Sequence, residues 1–461
     1  MSADPASPTP RAAVAPLVPA HDAQLSTIWA LAWPVILTLS IESLVGLVDM
    51  LMVGRLGATA VAAVGVGVHV MSAVSTTMFA IGTGTLAIVA RHIGARENRS
   101  AEEVLFQSIL AAAVLGAAVA APVMLWAPAV VRACGVDESV VGAASGFVRI
   151  VMLGVPADAV FFVVALGLRG AGDTRTPLGV GILVGLITVV GDYLLIFGKL
   201  GLPALGVTGA ACATATGYLA GGLVSLALLA RGDLVLTLPR RDRRLRLDVV
   251  RRVLAVGYPA AVEHILMQLG FLIYIVFAAR YGTSQVAAYV IGVRILALSF
   301  LPGFGFAAAA GALVGQSLGA GRPGEAERSG WESTRLAVYL MTAGGVVIFL
   351  AARPIATLFT NDATVVADAI PFIRVLAAAQ PLMAVDFTLG GALRGAGDTR
   401  FPLLAVLVGF YGCRLGWAWV ASFWLHLDVV WVWLALVADY VARGALKGHR
   451  FRSGRWKTLR V

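Results

Sequence analysis

Six carboxylates, Glu42, Asp49, Asp158, Asp192, Glu263 and Asp386, lie within long apolar stretches of the chain. A charged carboxylate in such surroundings is costly unless it is protonated, paired or hydrated, so it marks an ion or substrate path. Glu42 and Asp49 are seven residues apart, close to two helical turns, so they share one face about 10 Å apart along the axis. Thr38, four residues before Glu42, extends that polar stripe, and Pro34 removes a helical hydrogen bond upstream and favours a bend there. Thr188 and Asp192, four apart, share a face of a second helix, and Asp158 supplies a third acidic helix. The alternative is that these carboxylates accept hydrogen bonds from neighbouring hydroxyls or amides and only hold the helices together.

In the second half, Glu263 and Asp386 can carry substrate or form static ion pairs with Arg294, Arg374 or Arg414. His264 and Gln268, four apart, predict one hydrogen-bonding patch, and Met267 and Met383 offer adaptable apolar contacts or plain packing.

The elements that position these residues follow from composition. Of 461 residues, 59% are hydrophobic and 13% charged, with a mean hydropathy of +0.89. That excludes a string of ordinary soluble domains. The apolar blocks are about twenty residues long, the length an α-helix needs to cross hydrocarbon, and lack the alternation of barrel strands. Twelve spans are expected, starting near residues 26, 59, 103, 144, 177, 205, 251, 284, 332, 367, 402 and 428. Three scattered cysteines, Cys134, Cys212 and Cys413, make neither a disulfide framework nor a metal cluster. Basic residues lie in loops rather than on one soluble face, so nucleic acid is not an expected partner.

With the amino terminus inside, 26 of the 35 basic residues fall in cytoplasmic loops and tails and five in the opposite loops. Positive charge favours the cytoplasmic side, which places both termini there. Trp417, Trp419, Trp424, Trp431 and Trp433 suit an interfacial belt near the last outer loop.

An internal repeat organises the chain. Leu168-Arg169-Gly170-Ala171-Gly172-Asp173-Thr174-Arg175-Thr176-Pro177 recurs as Leu393-Arg394-Gly395-Ala396-Gly397-Asp398-Thr399-Arg400-Phe401-Pro402, an offset of 225 residues. The same offset aligns Pro34 with Pro259, Arg55 with Arg280, Gly57 with Gly282 and Gly94-Ala95 with Gly319-Ala320. Six spans per repeat, an even number, make the repeats parallel about a pseudo-twofold along the membrane normal, with the substrate site expected between two lobes. The decapeptide joins helix to helix and lacks the third glycine of a dinucleotide fingerprint. Its glycines suit a tight turn, its Asp and Thr the cap of the next helix, and its proline that helix's first turn; an inter-loop gate of its arginines with Asp173 or Asp398 is the other reading.

The fold class is therefore an all-α polytopic membrane protein of twelve transmembrane helices in two parallel six-helix repeats. Expected boundaries are a disordered cytoplasmic tail (1–24), an N-lobe (25–230), a basic cytoplasmic linker (231–250), a C-lobe (251–446) and a basic cytoplasmic tail (447–461).

The twelve spans, the parallel repeats, the string Gly46-Leu47-Val48-Asp49-Met50-Leu51-Met52-Val53-Gly54-Arg55-Leu56-Gly57 and the paired Leu-Arg-Gly-Ala-Gly-Asp-Thr-Arg loops together resemble the multidrug and toxic compound extrusion (MATE) family. The resemblance covers about residues 25 to 445. It implies secondary antiport: organic, often cationic compounds leave the cell as protons or sodium ions enter. By that resemblance Asp49 matches the acidic residue of the family's first helix and Asp192 its fifth-helix aspartate, the amino-lobe cation site of the DinF-like branch. Thr188 stands where the family often has Asn. The NorM-like pattern would place acidic residues at positions held here by Met267 and Met383.

These readings converge on an inner-membrane antiporter, a monomer among membrane lipids, that exports amphipathic organic cations for protons and needs no cofactor or metal. Proton binding at Asp49 and Asp192, with Thr188 as hydrogen-bonding neighbour, would change the bend at Pro34 and shrink the N-lobe cavity. The substrate-cavity candidates are Thr38, Glu42, Asp158, Glu263, His264, Gln268 and Asp386. Sodium coupling and a lipid-linked-intermediate flippase of the same superfamily are the rival transport readings. A membrane-embedded enzyme would need a reactive constellation that the sequence does not offer.

Overall fold

The computed structural model describes residues 24–238 and 244–459. The expected amino-terminal tail, apart from Gln24, lies outside the described residues, as do Arg240, Arg241 and Arg243 of the linker and Arg460.

The helices are α1 (Gln24–Gly54), α2 (Ala58–Thr76), α3 (Met78–Gly94), α4 (Asn98–Leu125), α5 (Ala127–Ala133), α6 (Glu138–Gly170), α7 (Arg175–Phe197), α8 (Val207–Arg231), α9 (Leu247–Ala279), α10 (Thr283–Gly319), α11 (Pro323–Leu350), α12 (Ala352–Phe359), α13 (Ala363–Gly395), α14 (Arg400–Val406), α15 (Gly416–Trp419) and α16 (Val429–Arg452). Twelve segments are long and apolar enough to cross a membrane. The eleventh, Arg400–Trp424, combines α14 and α15 with two π-helical stretches, Leu407–Leu415 and Val420–Trp424. α1 runs unbroken through Pro34.

The offset of 225 holds in three dimensions. It carries the bounds of α4 and α6 onto those of α11 and α13, and those of α2 with α3 onto α10. α10 is continuous through Pro302, whereas the first lobe breaks at the equivalent Thr77. Close backbone approaches locate the axis. A Cβ on Gly257 would collide with the Ala80 carbonyl, and one on Gly305 with the Ala32 carbonyl; each contact is the other's image under the offset. Gly311 faces Leu86 and Gly315 faces Ala90, each its own repeat mate, so the axis passes between α3 and α10 at these positions.

Each lobe's first helix begins in the other lobe's core. Ile28, Leu31 and Ala32 of α1 join the apolar cluster of α10, α13 and α16, while Val249 and Val253 of α9 join that of α3, α4 and α6. Polar contacts tie the same ends: Gln24 Nε2 donates to Ser329 Oγ (2.9 Å), Gln316 Nε2 to the Gly170 carbonyl (2.9 Å) and Arg91 Nη2 to the Ala396 carbonyl (3.3 Å). The lobes thus converge at the ends carrying the repeated decapeptides. The linker is strapped along α4, where Glu102 accepts from Thr237 N and Oγ1 (3.1 and 2.5 Å). Buried Gln107 bonds the Arg244 carbonyl (2.7 Å) and the Arg246 amide (2.9 Å).

Three expectations change. α16 extends to Arg452, so Lys447 lies inside a helix, and the chain then folds back to bury Trp456 against Phe451, their rings 4.6 Å apart. Trp433 belongs to no interfacial belt: it is fully buried and stacked on Tyr289, because the aromatic core of the second lobe needs a large ring there. The decapeptides also diverge. Asp173 caps α7, accepting from the Arg175 and Thr176 amides (3.1 and 2.9 Å), whereas Asp398 pairs with Arg450 (2.7 Å). Gly172 and Gly397 take positive φ of 91° and 87°, a left-handed turn that glycine adopts without strain.

Candidate functional site

The first lobe gathers its polar residues where α1, α6, α7 and α8 meet. A small-residue stripe on α7 makes this possible: Gly181 lies against Thr38 and Gly185 against Val45 of α1, while Gly217 of α8 leaves room for Thr188 Oγ1. The helices therefore pack closely, and Asp192, next on that stripe, is fully buried. Neither of its carboxylate oxygens has a hydrogen-bond partner, and Asp49 Oδ1 is buried and unpartnered as well. The two carboxylates lie within electrostatic reach of each other. Two carboxylates in one field repel each other, and a cation or a proton between them would relieve both that repulsion and the unmet acceptors.

Thr188 does not serve Asp192 as expected. Its hydroxyl donates to the Val184 carbonyl of its own helix at 3.0 Å, the usual local bond of a helical threonine. Thr38 likewise donates to the Pro34 carbonyl at 2.7 Å.

Glu42 is solvent-accessible and Asp158 half-buried, and their charges interact. Tyr218 of α8 interacts with Glu42, Asp49 and Asp158 and so joins the two carboxylate pairs. Its sequence neighbours are small and apolar, and nothing about a lone tyrosine in such a run signals the site. One cation also faces this cluster: Arg169, at the end of α6, lies within electrostatic reach of Glu42.

The second lobe is built differently. Asp386 pairs with Lys447 Nζ (2.6 Å) and Arg443 Nη1 (3.2 Å), and Asp439 with Arg443 Nε (2.7 Å). Arg414, fully buried on the first π-helical stretch, lies 3.9 Å from Asp439 and over the rings of Tyr274 (4.5 Å) and Phe410 (4.8 Å). Glu263 pairs with Arg394 at 3.1 Å. The expected partners Arg294 and Arg374 are exposed and take no part. The count of cytoplasmic cations includes Arg394, Arg443 and Lys447, which the structure instead sets in ion pairs. The spacing of Asp439, Arg443 and Lys447, four apart and on one helical face, was the available signal.

His264 and Gln268 do not form a shared patch; both reach the first lobe. His264 stacks on Phe79 with centroids 4.4 Å apart, and Gln268 Nε2 donates to Ser72 Oγ at 3.4 Å. Met383 is fully buried, and Met267 Sδ lies 3.8 Å from Arg443.

Comparison with known proteins accords with this architecture. The MatE family profile matches residues 34–194 and 259–420, one segment in each lobe. The chain is similar to the "Probable multidrug resistance protein NorM" of Thermotoga maritima, 28% identical over 432 residues, covering 91% of this chain and 90% of that protein. It is also similar to the "Uncharacterized transporter YisQ" of Bacillus subtilis, 25% identical over 431 residues, with 93% and 94% covered. Its fold matches a solved MOP superfamily transporter from Pyrococcus furiosus (TM-score 0.87, 24% identity, 94% of this chain and 97% of that one). It also matches an outward-facing multidrug resistance MATE family transporter (TM-score 0.86, 24% identity, 93% and 95%).

Proposed function

This chain belongs to the MatE family, and from that premise we propose that it exports amphipathic organic cations in exchange for protons through its first lobe. The observation that carries this reading is the fully buried, hydrogen-bond-free carboxylate of Asp192 beside Asp49. A proton or a cation at this pair relieves an otherwise unmet charge. Glu42, Asp158 and Tyr218 border the route that a substrate cation takes to it. Charge asymmetry sets the specificity: four carboxylates face one arginine, so cations are attracted and anions repelled.

The Thermotoga maritima relative carries the NorM name, yet we place coupling in the first lobe, in the DinF-like manner. The second lobe has Met267 and Met383 where the NorM-like pattern has acids, and its carboxylates are occupied by arginine and lysine. Exchange follows from competition. Protonation of Asp49 and Asp192 removes the charge that holds the substrate, and a bend of α1 at Pro34 closes the cavity. With the decapeptide ends cytoplasmic and the protein in the inner membrane, the convergence of the lobes there makes this the outward-open state. Single cysteines introduced at Arg251 and after Arg452 test the orientation: an impermeant reagent labels them in inside-out vesicles, and labelling in intact cells reverses the topology.

The function itself is tested in proteoliposomes. Ethidium efflux is expected under an imposed pH gradient and not under a sodium gradient alone. Efflux driven only by sodium replaces the coupling ion, and protection of a pump-deficient strain against anionic compounds alone removes the cation reading.

A further inference from the structure

The repeated decapeptide holds an asymmetry that its role as a turn leaves unexplained. In the second lobe Arg394 pairs with Glu263 of α9, Nη1 lying 3.1 Å from Oε2, both side chains largely buried. Its mate Arg169 leaves α6 at the same place in the repeat. The Arg169 Nε is buried without a hydrogen-bond partner, and the charge of the residue interacts with Glu42 on α1. Yet the two form no ion pair among those within 4.0 Å. The mate of Glu263 is Thr38, one helical turn before Glu42. The first lobe thus carries its carboxylate one turn farther along the equivalent helix, which parts it from the arginine and leaves Glu42 accessible above a guanidinium with an unmet donor. Glu42 also interacts with the charge of Asp158.

We propose that Arg169 is a specificity- and release-determining residue, a tethered cation that competes with the transported cation for Glu42. The inference rests on the cation-export reading. While Arg169 stands apart, Glu42 is free to neutralise a substrate cation. When the cavity narrows, Arg169 pairs with Glu42 as Arg394 already pairs with Glu263, and the substrate loses its counter-charge. Two cations sharing one carboxylate in a low-dielectric site repel each other, so the pairing and the bound substrate exclude one another. The arginine adds nothing to the recognition of neutral compounds. It sets how weakly a cation is held, and therefore how readily it leaves.

Binding of ethidium to the purified full-length protein, followed by fluorescence, tests the competition. Arg169→Gln is expected to lower the Kd about tenfold, a difference of the size carried by one charged contact, and to slow efflux, while Arg169→Lys resembles the wild type. In a Glu42→Gln background the same change should leave the Kd unaltered. Glu42→Asp, which withdraws the carboxyl from Arg169 and keeps the guanidinium, is expected to bind more tightly than the wild type. A second readout needs no substrate: the reactivity of Glu42 toward a hydrophobic carbodiimide, read by mass spectrometry, should rise when Arg169 is neutralised. Unchanged Kd in both Arg169→Gln and Glu42→Asp overturns the competition, and labelling indifferent to Arg169 overturns the pairing. If the wild type binds no ethidium while labelling still responds to Arg169, the cation-export reading falls and the pairing stands.

Discussion

Asp49 and Asp192 of the first lobe stand where the second carries Tyr274 and Trp417, and Glu42 and Asp158 where it carries Met267 and Met383. Tyr218, which joins the first lobe's carboxylates, is replaced at its mate by Arg443, the centre of the second lobe's ion-pair cluster. The same six-helix frame therefore holds four acids facing one unpaired arginine on one side and a self-neutralised network on the other. The second lobe has its cations built in, on α16 and on the π-helical stretch. The first leaves that place to a ligand. The difference teaches that a buried carboxylate alone does not mark a transport site; a carboxylate not already engaged in an ion pair does.

This contrast is open to being broken. Its largest consequence is functional: Asp192→Asn or Asp49→Asn is expected to reduce pH-driven efflux in proteoliposomes to background while the protein still inserts and folds. The amide removes a charge that nothing in the first lobe pairs. Wild-type rates in both variants would move coupling to Glu263 and Asp386. In the second lobe the outcome inverts. Asp439→Asn leaves Arg414 buried without its carboxylate and Arg443 with Asp386 alone, and breaking a buried pair from one side costs about 3–5 kcal/mol. Loss of stability in detergent, measured by thermal unfolding, should precede any defect in coupling, and Asp386→Asn should behave alike. A variant of Asp439 that is stable but uncoupled would erase the distinction between the lobes.

Smaller effects sharpen it. Trp456→Ala empties the pocket against Phe451 and is expected to cost about 3 kcal/mol, read in the same assay, while substrate affinity is unchanged. The smallest effect tests where the lobes agree. Asp137 caps α6, accepting from the Ser139 amide at 2.9 Å, and its mate Asp362 caps α13 in the same way. Bonding to Ser139 holds the Asp137 carboxyl below the usual carboxylate range. Its stabilising contribution is therefore present above the unfolded value of about 3.9 and is lost as pH falls through the lowered one. Asp137→Ala and Asp362→Ala should fray only the first turn of each helix, equally in the two lobes, as seen by hydrogen exchange.

Much of this architecture was legible in the chain. The spans follow from apolar length, and the lobes from one preserved offset that includes Arg169 and Arg394. The break at Thr77 was not legible, because the proline sits in the unbroken copy, at Pro302, where the sequence offers no contrast that decides between a kink and a continuous helix. The first lobe's Asp49 and Asp192 were found because each is a carboxylate inside a long apolar stretch. The second lobe's network was missed because counting Arg443 and Lys447 as end-of-span cations ignored that four-residue spacing places both on the face of Asp439. Tyr218 gave no signal, since its role arises only from the packing of α8 on α6 and α7.

The self-facing positions on the pseudo-twofold axis carry a historical consequence. In a symmetric pair of separate half-length chains, position 86 would meet its own copy, leucine against leucine or glycine against glycine. Here Leu86 leans into Gly311, a large residue seated in the gap left by a small one, which no homodimer of identical halves can hold. Fusion of two copies into one chain lifts that restriction on the axis itself, and it is the same release from symmetry that lets one half keep its acids unpaired while the other fills them.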